Sequence, residues 1–75
     1  MIITLKAFAT LQKYMPEHAD AYEVPEGTTV QELLDRLGLS DDQVRLVFIN
    51  GAHVSLQAVI AEGDRLGLFP AVGGG

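Results

Sequence analysis

Few residues of this 75-residue chain are of a type that does chemistry, and their spacing is uninviting. It has no cysteine, which removes thiolate nucleophiles and Cys-held metal sites, and His18 and His53 have no neighbouring acid or second His at ligand spacing. Asp41 and Asp42 set two carboxylates side by side without a third ligand in pattern, so a solvated turn or helix start suits them better than a metal site. What remains is the run Gly73-Gly74-Gly75 that closes "LFPAVGGG". The α-carboxylate of a terminal glycine has a pKa of about 3.5, so at neutral pH it is an anion that nucleophiles do not attack. Any reaction there needs activation from outside. The competing reading of such a run is a frayed end.

Composition narrows the setting. A 48% hydrophobic and 20% charged chain is globular, and its length allows one domain with a single core. No apolar stretch approaches the ~20 residues of a membrane span, and "MIITLKAF" lacks the basic flank and cleavage site of a secretory signal. The expected location is the cytoplasm. Five Lys/Arg against ten Asp/Glu give a net charge of -5, which repels nucleic acid and anionic membrane alike.

The elements that must carry the tail are legible in the pattern. "IITLKAF" predicts a strand over residues 2–8, with Ile3, Leu5 and Ala7 on one face and Ile2, Thr4, Lys6 and Phe8 on the other. A short helix over 9–14 is expected before Pro16, then a short strand over 22–24 closed by Pro25-Glu26-Gly27. In "TTVQELLDRLGL", Thr29 and Glu32 form a capping box, Val30, Leu33, Leu34 and Leu37 make an apolar stripe, and Gly38 supplies the left-handed stop. "VRLVFING" reads as a central strand with Leu46 and Phe48 opposite Val47 and Ile49. Asn50-Gly51 is a hairpin turn leading to a short edge strand in "AHVSL". A last strand over 65–69 places Leu66 and Leu68 on one face and Arg65, Gly67 and Phe69 on the other, and Pro70 is expected to end it. This is an α+β arrangement of about five strands on one main helix.

Element order, "VFINGAHV", "EGDRLGLFPAV" and the terminal Gly-Gly together resemble the ubiquitin-like β-grasp sulfur carriers of the MoaD and ThiS family, over the whole chain. "LFPAV" is closer to the molybdopterin-synthase small-subunit type, although Ala71 stands where a second proline is typical and Gly73 makes a third glycine. The resemblance implies a mixed sheet in the order 2-1-5-3-4, a β-grasp domain over 1–70 and a flexible tail over 71–75. It implies no permanently bound cofactor and no metal. An E1-like enzyme of the MoeB/ThiF type would adenylate Gly75 with ATP, so that AMP and then sulfur are attached there in passing. The resulting thiocarboxylate would be delivered to a molybdopterin synthase large subunit or to a thiazole synthase. Gly73 and Gly74 would thread the partner's channel, since glycine allows close approach of backbones. Ordering a tail costs about 1–2 kcal/mol per residue, so affinity must come from the body. Phe8, Phe69 and Pro70 match family positions at the partner interface, although lone strand aromatics are often core residues. Lys6 and Arg65 either meet partner carboxylates or merely flank strands. Two other readings share the fold: a ubiquitin-like modifier joined through Gly75 to a lysine, and a plain interaction domain with an inert end.

Overall fold

A computed structural model describes residues 1–71. The elements are β1 (Ile2–Ala7), a 3-10 helix (Ala9–Tyr14), a 3-10 turn (Ala19–Ala21), β2 (Tyr22–Glu23), α1 (Val30–Leu37), a 3-10 turn (Asp41–Gln43), β3 (Val44–Ile49), β4 (Ala52–Val54) and β5 (Arg65–Pro70). They form a five-stranded sheet in the order β2-β1-β5-β3-β4. β1 and β5 run parallel at its centre, the remaining pairs antiparallel. This is the order that the resemblance implied.

α1 forms where local chemistry demands it. The Glu32 amide donates to Thr29 Oγ1 at 3.2 Å, and the Thr29 amide donates to Glu32 Oε1 at 2.9 Å. Gly38 (φ 80°) ends the helix, with its amide on the Asp35 carbonyl and the Leu39 amide on the Leu34 carbonyl. That pair of reversed bonds is the Schellman geometry. Val30, Leu33 and Leu34 are completely buried by packing against Ile3, Leu5, Leu66 and Leu68 of the central strands, with Leu11, Val24, Leu39, Val47 and Ile60 closing the core.

Three local expectations change. The helix over 9–14 is of the tighter 3-10 type, and the chain enters it through Ala9 at φ 51°, a left-handed conformation that costs an L-residue about 1–2 kcal/mol. In β3, Val44 and Val47 are both buried where strict alternation would separate them, because the β3–β5 register shifts between Val44 and Leu46. Such a bulge inserts one residue and re-aims those beyond it. Finally, Pro70 does not end pairing. It lies opposite Val44, and the Ala71 amide donates to the Gln43 carbonyl at 3.1 Å. Amides alternate sides along a strand. Ala71 therefore points toward the β3 side, and the position that Pro70 leaves without a hydrogen points to the β1 side, where β1 has already ended at Ala7.

Candidate functional site

Alternation on β1, β5, β3 and β4 sends one residue set away from α1, and register decides which of them meet. Phe48 lies opposite both Gly67 and His53, and Leu46 lies opposite Phe69. Lys6 is level with Gly67 across the parallel pair, and the Phe8 amide donates to the Leu68 carbonyl, which brings Phe8 beside Phe69. All three phenylalanines of the chain thus gather on the outer face. Phe8 stacks on Phe69 with ring centroids 4.3 Å apart and planes 11° apart. Phe48 meets Phe69 edge-on at 5.5 Å, and His53 lies tilted against Phe48 at 5.6 Å. Such pairs add about 0.5–1.5 kcal/mol each beyond the area they cover.

The rings remain open to solvent. Phe8 is 40% exposed, and Phe48 and Phe69 are half-buried. Gly67 is the floor between them: a Cβ there would stand 3.6 Å from the Phe69 ring and 3.8 Å from Phe8, an ordinary contact that would fill the depression. The resulting shallow groove has a volume of about 390 Å³ and also includes Lys6, Arg65 and Asn50. An apolar floor with charged ends offers a protein partner a place to bury side chains.

Below the groove, the two turn motifs read from the sequence lock together. Asn50 and Gly51 have φ of 52° and 85°, the hairpin geometry expected of them. Asn50 Nδ2 donates to Asp64 Oδ1 at 3.0 Å, its Oδ1 accepts from the Arg65 amide at 3.0 Å, and Asp64 Oδ2 accepts from the Ala61 amide at 2.8 Å. "ING" and "EGD" therefore hold β5 in register at its start. At its other end Gln43 does the equivalent. Its carbonyl holds Ala71, its Nε2 donates to Tyr14 Oη at 2.8 Å, and its Oε1 accepts from the Ser40 amide at 2.9 Å.

Of the residues singled out in the sequence, Phe8 and Phe69 are in contact on the open face, and Pro70 follows them at the end of β5. Gly73, Gly74 and Gly75 lie outside the described residues. Asp41 and Asp42 begin a 3-10 turn, Asp41 accepting from Gln31 and Asp42 from the Ser40 hydroxyl at 2.6 Å. That hydrogen bond, with a backbone bond, holds the Asp42 carboxyl below the usual carboxylate range. Phe48 joins the patch as well, a member that local spacing alone does not identify. Its place beside Leu46 on the outward set was readable; its meeting with Phe69 depends on a long-range register.

A parallel central pair, one helix across the inner face and an open aromatic outer face define a ubiquitin-like β-grasp protein. The chain belongs to the ThiS family, whose pattern it matches over residues 5–75. The family comprises small ubiquitin-like sulfur carriers and modifiers that act with E1-like enzymes and synthase subunits. SAMP1 from Haloferax volcanii has a similar structure, with a TM-score of 0.72 and 28% identity over 100% of both chains. A second structure, of H. volcanii small archaeal modifier protein 1, matches at 0.71 and 28% identity, covering 95% of this chain and 98% of that one. A candidate molybdopterin converting factor, subunit 1, from Pyrococcus furiosus gives 0.74 at 23% identity over 96% and 99% of the two chains, a likeness of fold. A search of the curated proteins finds no match. Among the described residues no helix is long and apolar enough to cross a membrane.

Proposed function

We propose that this protein is a sulfur carrier loaded at the carboxylate of Gly75 and serving molybdopterin cofactor synthesis. The observation that carries the reading is a family match that runs through Gly75 itself. An E1-like enzyme of the MoeB/ThiF type joins the carboxylate to AMP, with loss of pyrophosphate from ATP. A persulfide sulfur then attacks the acyl carbon, forming a C–S bond and expelling AMP, and a partner thiol cleaves the S–S bond to free the thiocarboxylate. The chain supplies the reacting carbon, Gly73 and Gly74 enter the partner's channel, and the outer face around Phe8, Phe69 and Pro70 docks. Stabilising the charged transition state falls to the activating enzyme. The likeness of "LFPAV" to molybdopterin-type tails favours a molybdopterin synthase large subunit as acceptor over a thiazole synthase.

A second reading, a protein modifier joined through Gly75 to a lysine, is favoured by the 28% identity to small archaeal modifier protein 1 along nearly the whole chain. Intact mass separates the two: a gain of about 16 Da marks oxygen replaced by sulfur, and a conjugate to another protein marks modification. Adding one residue after Gly75 should abolish sulfur loading by the activating enzyme with ATP while the melting transition stays put. Loading of the extended chain would refute the carboxylate as the reacting group.

A further inference from the structure

The outer groove differs from the rest of the surface in charge as well as polarity. The chain carries ten Asp and Glu, and none lines the groove; two of its five Lys and Arg, Lys6 and Arg65, do. Asp64 precedes Arg65 in the chain, but its carboxylate oxygens accept from Asn50 and from the Ala61 amide and from neither cation. Among the described residues neither the Lys6 ammonium nor the Arg65 guanidinium has a hydrogen-bond or ion-pair partner. Because Thr4 is level with Arg65 and Lys6 with Gly67, the two cations stand on neighbouring strands, offset by two residues. Strand spacing and rise put their Cα atoms about 8 Å apart, close enough for both to reach one carboxylate. Phe8 lies two residues beyond Lys6 on the same face.

We propose that this groove receives an acidic segment of a partner protein, a carboxylate seated between Lys6 and Arg65 and a neighbouring apolar side chain on Phe8, Phe69 and Phe48. The carrier reading supplies the partner's identity, an activating enzyme or synthase subunit; the chemistry of the groove does not depend on it. A body of net charge -5 repels an acidic partner from most directions, so a groove lined by two cations and no carboxylate also favours one orientation of approach. Binding energy and alignment then come from the same ten-residue surface.

Two measurements test this. In the first, the intact protein is titrated with the blocked tetrapeptide Asp-Leu-Phe-Glu and with its neutral counterpart Asn-Leu-Phe-Gln, and backbone amide shifts are followed by NMR. Saturable shifts at Lys6, Arg65 and Gly67 with the acidic peptide alone are expected; equal shifts with both, or none with either, overturn the proposal. In the second, sulfur loading by an E1-like enzyme compares K6E/R65E with K13E/R36E, which alters net charge equally but lies elsewhere. K6E/R65E should raise KM for the carrier about tenfold at unchanged kcat, and K13E/R36E should stay within about twofold. Equal KM for both variants overturns the docking mode with the carrier reading intact. Failure to load even the wild-type chain, with the acidic peptide still binding, overturns the carrier reading and leaves the groove assignment standing.

Discussion

The two faces of the central sheet are made by the same three strands and do opposite work. Inward, Ile3 and Leu5 of β1 and Leu66 and Leu68 of β5 are at most 3% exposed beneath α1. Outward, the residues between and beyond them leave three aromatic rings, a glycine floor and two cations, Lys6 and Arg65, facing solvent. Alternation with a period of two lets one strand hold a core and present a surface independently, provided register never slips. The locks at both ends of β5, Asn50–Asp64 at the start and Gln43–Ala71 at the finish, guard that condition. Stability and docking should therefore be separable by substitution.

The largest effect is expected inside. Leu68→Ala removes a side chain with no exposed area from the middle of the core and should cost about 2–5 kcal/mol, a large share of what a domain this small possesses. A denaturant melt measures it; a loss under ~1 kcal/mol would show that α1 closes over the gap. One residue along, Phe69→Ala should weaken docking to an activating or synthase partner by ~2 kcal/mol, as a central aromatic anchor does, and cost less in folding. Calorimetric titration beside the same melt gives both values. Unaltered affinity with a large stability loss would place Phe69 with the core instead.

The boundary between the two faces was largely open to sequence reasoning. The alternating sets of β1 and β5, the capped helix and the Asn50-Gly51 turn rest on interactions spanning a few residues, and each is visible in local spacing. What was not visible was set at long range. The bulge that buries both Val44 and Val47 depends on how β3 meets β5, and so does the arrival of Phe48 beside Phe69. Ala9 in the left-handed region could not be anticipated either, since alanine carries no preference for it. Lys6 and Arg65 were visible as strand residues, but that Asp64 bonds to Asn50 and the Ala61 amide rather than to either of them emerges only from the structure.

A smaller effect should follow at the exit of β5. A second proline at position 71, typical of molybdopterin-type tails, would stiffen the exit, but the Ala71 amide is bonded to the Gln43 carbonyl. Proline removes that donor and leaves the carbonyl unpaired, so a loss of about 0.5–1.5 kcal/mol and earlier fraying of the strand are expected. Hydrogen exchange at the Phe69 amide, compared between wild type and variant, reports it. Unchanged protection would mean that the Gln43 contact contributes nothing to the lock.

The smallest effect concerns Asp42, far from the groove yet on the same turn that holds Gln43 in place. Its carboxylate accepts from the Ser40 hydroxyl, and this bond keeps its folded pKa below the ordinary carboxylate value. The unfolded chain therefore binds this proton more readily than the folded one, so ionised Asp42 favours folding. That contribution is fully present above the unfolded pKa of about 3.9 and is lost as pH falls through the folded pKa. Asp42→Asn keeps the side chain's shape and an acceptor oxygen without the charge. Melting temperatures of the two proteins should differ slightly at neutral pH, with wild type higher, and converge once acid has protonated Asp42. A gap that persists unchanged into strong acid would mean that the charge on Asp42 plays no part in holding the turn beneath Gln43.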